Sequence, residues 1–232
     1  IEILILTLVI YQLFNVNHFL TYGKNTELKW EVLVNIINNT LDYYIDKLKT
    51  NKKFSFTRWG DGEWGCSFGV QGQNCDSHIY YSQLKDGLNE SLNNPKGYML
   101  ATWPQDEPMM TKIWQDVTQR VSHIKNWYNA SVWEEDAMNG KLKPLIEQLE
   151  TMNFIIVSEL SKKSLPIKYT DYIEIPSVNC FLEKDRIKKE MISMCDKYDS
   201  PVFGLSASMA TNVIVDELYH EIGDRCWMID LG

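Results

Sequence analysis

Short apolar runs separated by segments of helical period constrain this chain most. Phe154-Ile155-Ile156-Val157 and Pro201-Val202-Phe203-Gly204-Leu205 are apolar without alternation, as is much of Trp227-Met228-Ile229-Asp230-Leu231. Strands with one wet face alternate apolar and polar residues, whereas strands covered on both faces do not. Between these runs, residues from Leu142 to Thr151, Leu182 to Lys197 and Ser208 to about Ile222 carry apolar side chains at steps of three and four. Strand and helix in alternation specify an α/β domain, doubly wound, with a mostly parallel sheet and helices on both faces.

The rest of the chain is read against that pattern. Leu28 to Leu48 places Trp30, Leu33, Val34, Ile37, Leu41, Tyr44, Ile45 and Leu48 on one helical face. Phe54 to Trp59 alternates as a strand and runs into Gly60-Asp61-Gly62-Glu63, a loop by its glycine content. Tyr98 to Trp103 is a strand stopped by Pro104, a helix is expected from Met109 to Asn126, and Tyr172 to Ile175 is a short strand closed by Pro176. Residues 64–97, rich in Gly, Asn and Ser, resist assignment and read as an insertion near a site. No repeat or long linker divides the chain, so residues 28–232 are expected to be a single domain.

Residues 1–27 open with the apolar run IEILILTLVIYQLF. About 20 such residues are needed to span a bilayer, and Glu2, Gln12, Asn15 and Asn17 interrupt this run. It is either the end of a truncated anchor, which would associate the chain with a membrane, or a helix packed on the domain. Closing on a strand and Gly232, the domain is expected to be cut at its C-terminus as well.

A net charge of −8 with no Lys/Arg-dense stretch speaks against nucleic acid as a partner. Five widely spaced cysteines without a C-x-x-C pair suit reduced thiols in the cytoplasm rather than a disulfide framework or a zinc site. Sequons at Asn38, Asn89 and Asn129 point the other way, but such triplets arise by chance in an Asn-rich chain. Four histidines (His18, His78, His123, His220) show no ligand spacing and read as surface or packed residues.

Chemistry concentrates at Arg58-Trp59-Gly60-Asp61-Gly62-Glu63-Trp64. In open α/β sheets ligands sit beyond the carboxyl ends of strands, and this segment lies at such an end. Asp61 and Glu63 can direct two carboxylates to one side of a tight loop, a hard-oxygen pair suited to Mg²⁺ or Mn²⁺ held chiefly by diphosphate oxygens and water. Gly60 and Gly62 allow positive φ and close approach of a ligand, and Arg58 offers a cationic fork to phosphates. An ordinary acidic turn has the same composition. Ser206 and Ser208 stand where a strand becomes a helix, suited to anchoring a diphosphate or ribose or to simple N-capping. Asn179, after Pro176, contacts a nucleotide or steadies a turn. Trp59, Trp64 and Trp103 lie near strand ends where an aromatic face stacks on a sugar, though core packing claims most aromatics.

Arg58-Trp59-Gly60-Asp61-Gly62-Glu63 resembles the R-[FW]-G-D-G-E signature of the GT-D glycosyltransferases, the bacterial group known as DUF1792. The order of Ile175-Pro176-Ser177-Val178-Asn179-Cys180-Phe181, Phe203-Gly204-Leu205-Ser206-Ala207-Ser208 and Ile229-Asp230-Leu231-Gly232 extends the resemblance over most of residues 53–232. It implies a Rossmann-like fold of the GT-D type, with Asp61 and Glu63 as metal and catalytic residues and Arg58, Gly60, Gly62, Asn179, Ser206 and Ser208 around the donor. It further implies a UDP-sugar donor, UDP-glucose in reported members, and a glycan or glycoprotein acceptor. Glu159 and Asp171, both placed after strands, are candidates for the general base. A dehydrogenase would want the third glycine of G-x-G-x-x-G, which is missing in register. A non-catalytic sugar-binding module would need neither carboxylate, and a phosphohydrolase would release free phosphate.

Overall fold

The computed structural model describes residues 35–103, 117 and 120–232. Within them, eight strands form one sheet: β1 (Asn35–Ile37), β2 (Ser55–Trp59), β3 (Met99–Thr102), β4 (Asn126–Asn129), β5 (Phe154–Glu159), β6 (Asp171–Ile175), β7 (Val202–Leu205) and β8 (Trp227–Asp230). Their order is β1-β4-β3-β2-β8-β7-β5-β6, and every pairing is parallel. Seven α-helices are described: α1 (Leu41–Lys49), α2 (Asp61–Ser67), α3 (Ser82–Asn93), α4 (Val132–Met138), α5 (Lys143–Glu150), α6 (Lys184–Lys197) and α7 (Ala210–Ile222). The architecture is α/β and Rossmann-like.

The unbroken apolar runs are explained by two cores. Along β5, Phe154 and Ile156 pack with α1, α4 and α5, while Ile155 and Val157 pack with α3, α6 and α7 on the other face. The described residues of each connection toward the β1 edge pack on the α3/α6/α7 face, and those of each connection toward the β6 edge pack on the other. That division is what a single hand of crossover demands. Large aromatics fill both layers. Tyr44, Phe56 and Trp133 interlock on one side, and Trp59, Trp64 and Trp127 on the other, with centroids 4.7–6.4 Å apart. A ring of this size removes roughly 150–250 Å² from water, about 4–6 kcal/mol before entropic costs.

Three readings are corrected. The helix expected over Leu28–Leu48 is, within the described residues, strand β1 followed by α1. Asn35–Ile37 pair with β4, and Thr40, extended at ψ 164°, stops α1 from growing backward. Asn126, expected to end a helix, begins β4; the expected helix lies mostly outside the described residues, with Val117, Arg120 and Val121 helical. The unassigned stretch 64–97 contains the end of α2 and all of α3. Residues 1–27 and the domain boundary at 28 lie outside the described residues. Among the described residues no helix is long and apolar enough to cross a membrane.

Candidate functional site

Chain order reverses at β2. Its successors β3 and β4 lie on one side, and β8, the last strand, lies on the other. In doubly wound sheets such a reversal opens a crevice at the carboxyl ends of the strands. Arg58, near the end of β2, ties that crevice together. Its backbone N–H donates to Asp230 Oδ2 on β8 at 3.0 Å, and its carbonyl accepts from Asn212 Nδ2 of α7 at 2.9 Å. The guanidinium Nη1 donates to Glu134 Oε1 of α4 at 2.7 Å, and Nε lies 3.4 Å from Asp230 Oδ1. Asp230 also accepts the Gly232 N–H at 3.1 Å. Burial holds the Asp230 carboxyl above the usual range, against the pull of Arg58.

The segment after β2 is not a loop. Gly60 is the N-cap of α2, and Asp61 and Glu63 occupy its first turn. Glu63 Oε2 turns back to accept the Gly60 N–H at 2.9 Å, satisfying one of the unpaired donors that open a helix. Acidic residues in a first turn also complement the helix dipole. Residues two apart on a helix do not share a face, so the two carboxylates meet at the helix start rather than along one side. Neither glycine adopts positive φ: Gly60 sits at −106° and Gly62 is helical. Close approach is the reason for both. A Cβ on Gly60 would lie 3.3 Å from Glu63 Oε2, and one on Gly62 would lie 3.2 Å from the Cβ of Asn74.

Burial pushes the Glu63 carboxyl up to about 7, with Asp230 and Asp61 adding repulsion and the Gly60 N–H pulling it back. Three carboxylates (Glu63, Glu134, Asp230) thus gather near one guanidinium, whose Nη1 is bonded to Glu134, and Asp61 stands beside Glu63. Among the described residues no group of three or more His, Cys, Asp or Glu is arranged to cage a metal ion. Two carboxylates with surplus negative charge, one keeping Oε1 clear of the Gly60 contact, therefore fit a divalent ion that takes its remaining ligands from phosphate and water. They do not fit a protein-only cage.

The other expected residues converge on the same edge. Asn179 adopts φ +57°, a conformation Asn tolerates well. Its Oδ1 accepts the Ile79 N–H at 2.8 Å, and its own N–H donates to His78 Nδ1 at 3.2 Å. Ser208, at φ +49°, accepts from Asn74 Nδ2 at 3.0 Å. Ser206 extends the β5–β7 ladder through its N–H to the Val157 carbonyl at 2.9 Å. Neither serine caps α7, whose N-cap is Met209. Sequence reasoning missed Asn74, His78, Glu134 and Asn212, for which spacing carries no signal.

Trp59 and Trp64 are fully buried beneath the site and cannot stack on a sugar, while Trp103 is half-buried beside Gly60. Asp171 opens β6 rather than following a strand. It therefore lies at the opposite edge, where hydrogen bonds from Lys197 (2.8 Å) and Tyr198 (2.9 Å) hold its carboxyl below the usual range. Glu159 ends β5 at the site edge, half-buried. All five cysteines are free, and only Cys75 is exposed.

No protein-family model matches the chain, and no curated protein matches its sequence. Its structure is similar to a solved one, the selenomethionine-substituted structure of domain of unknown function 1792 (DUF1792). The TM-score is 0.59 at 16% identity, over 85% of this chain and 78% of that one. The fold is DUF1792-like. In this DUF1792-like frame, the Arg58-Trp59-Gly60-Asp61-Gly62-Glu63 segment leads from the central strand β2 into α2.

Proposed function

We propose that this chain is a metal-dependent glycosyltransferase. It moves a hexose, glucose by the family resemblance, from a UDP-sugar to a glycan or glycoprotein acceptor, with inversion. The observation that carries the reading is the surplus of carboxylate at the reversal point of the sheet, buried at Asp230 and half-buried at Asp61, Glu63 and Glu134. A cation bound by a diphosphate would balance that charge. The DUF1792-like fold and the Arg-Trp-Gly-Asp-Gly-Glu segment support the same reading.

Asp61 and Glu63 would hold Mn²⁺ or Mg²⁺. The ion's chemistry is to neutralise negative charge that develops on the leaving nucleoside diphosphate. Arg58, fixed by Asp230 and Glu134, keeps the ends of β2 and β8 and the start of α4 in register and adds positive potential behind the phosphates. Glu63 is steadied by the Gly60 N–H, so its carboxylate needs little rearrangement to meet the ion. Asn179, Ser206 and Ser208 offer amide and hydroxyl groups to the nucleotide from the loops after β6 and β7. Glu159, at the end of β5, is the candidate to take the proton from the acceptor hydroxyl.

Nucleotide release from a panel of UDP- and GDP-sugars, with Mn²⁺ or EDTA, tests this proposal. Slow metal-dependent turnover of one UDP-sugar is expected, falling on the order of 100-fold or more in Asp61→Asn/Glu63→Gln. Turnover that ignores EDTA, or that survives in the double variant, would refute the assignment. Free phosphate in place of nucleotide would indicate a hydrolase.

A further inference from the structure

Between α2 and α3 the chain forms a small hairpin. Gln73 and Ile79 pair antiparallel, the Asn74 N–H donates to the His78 carbonyl at 3.0 Å, and the Tyr80 N–H donates to the Gly72 carbonyl at 3.0 Å. Residues 68–73 and 75–77 are exposed, so little apolar burial holds this hairpin in place. Asn74 is the exception. Its amide oxygen accepts the His78 N–H at 2.8 Å, closing the turn, and its amide nitrogen donates to Ser208 Oγ at 3.0 Å. Its Cβ occupies the space that a side chain on Gly62 would need. Through His78 and Ile79 the same hairpin bonds to both the N–H and the Oδ1 of Asn179.

One side chain therefore touches the residue between Asp61 and Glu63, the loop after β7 and, through its hairpin, the loop after β6. The Asn74 amide serves Ser208 as donor and the His78 N–H as acceptor at once, which neither an apolar side chain nor an ionised carboxylate can do. Alanine would lose both bonds. Aspartate would keep the acceptor but needs the Ser208 hydroxyl to turn round and donate. We infer that Asn74 is a positioning residue of the transferase. It sets the distance between the Asp61–Glu63 turn and the Ser208 and Asn179 loops, so that metal-bound diphosphate and nucleoside meet one preformed site. This inference rests on the glycosyltransferase reading above.

The test uses the full chain as wild type, Asn74→Ala, Asn74→Asp, Ser208→Ala and Asn74→Ala/Ser208→Ala. Calorimetry with UDP and Mn²⁺ supplies affinity, and hydrogen exchange at the amides of His78 and Ile79 reports the hairpin. Asn74→Ala is expected to weaken UDP–Mn²⁺ binding about 10-fold or more, and exchange at both amides should rise. Asn74→Asp should recover part of the affinity. Adding Ser208→Ala to Asn74→Ala should cost less than Ser208→Ala costs alone, because the two changes remove one shared contact. A merely structural Asn74 would lower the melting temperature, leave UDP affinity of the folded protein at the wild-type value and give additive losses with Ser208→Ala; that pattern overturns the inference. If wild type binds UDP with Mn²⁺ and Asn74→Ala binds it equally well, the inference alone fails. If wild type binds no UDP with Mn²⁺, the transferase reading fails and takes the inference with it.

Discussion

Glu63→Gln should stabilise the metal-free protein while destroying its function. In the fold, burial and the neighbouring carboxylates raise the Glu63 carboxyl from its ordinary 4.5 to about 7. Between those values the native state holds a proton that the unfolded chain has released, so stability from this group is full below about pH 4.5 and is lost as pH rises through about 7. The displacement is about 2.5 pH units at about 1.4 kcal/mol each, so the loss is about 3–4 kcal/mol by pH 8. Glutamine keeps an oxygen for the Gly60 N–H, 2.9 Å away in wild type, and never ionises. In EDTA the variant should therefore match wild type near pH 4.5 and exceed it at pH 8 by about 3–4 kcal/mol, roughly 6–16 °C in Tm for a chain of this size. Thermal melts of both proteins from pH 4.5 to 8.5 measure this directly. A variant no more stable than wild type at pH 8, or a difference that does not grow with pH, would refute the reasoning.

Gly87→Ala should destabilise although alanine is the better helix former by about 1 kcal/mol. A Cβ on this α3 residue would lie 2.9 and 3.0 Å from the two γ-carbons of Val213 on α7, a stiff side chain, and forcing the helices apart should leave a net loss of about 1–2 kcal/mol in a denaturant titration. Thiol counting with Ellman's reagent should find one accessible cysteine in the native protein, Cys75, reacting slowly because burial and the carboxylates of Asp76, Asp61 and Glu63 push its thiol up to about 11, and five in denaturant.

The sheet was legible because strands covered on both faces write themselves as apolar runs. Phe154–Val157 and Val202–Leu205 are apolar through and through, since successive residues enter different cores. The weakest elements were invisible for physical reasons. Strand β4, Asn-Trp-Tyr-Asn, is four residues of mixed polarity held by partners on both sides. In α3 only Leu84, Leu88 and Leu92 signal a buried face, and Gly87, in the unassigned stretch, is where α7 comes close. At the site, the position of Asp61 and Glu63 beyond β2 followed from the glycines and the strand before them. Their helical setting did not, because Gly60 has no side chain to announce an N-cap as serine or aspartate would, and the bond that opens the helix runs from its N–H back to Glu63. Trp59 and Trp64 show the reverse error: strand-end aromatics were read as sugar platforms, yet both face inward beneath the crevice. Glu134 and Asn74 reach the site from distant segments, and only folding reveals such contacts.

Diffraction at the manganese absorption edge, from crystals soaked in Mn²⁺ and UDP, tests the central claim most directly. The expected map shows one anomalous peak coordinated by Asp61 and Glu63, with the diphosphate beside it at the carboxyl ends of β2 and β8. UDP bound with no peak there, or a peak at carboxylates elsewhere, would contradict the account.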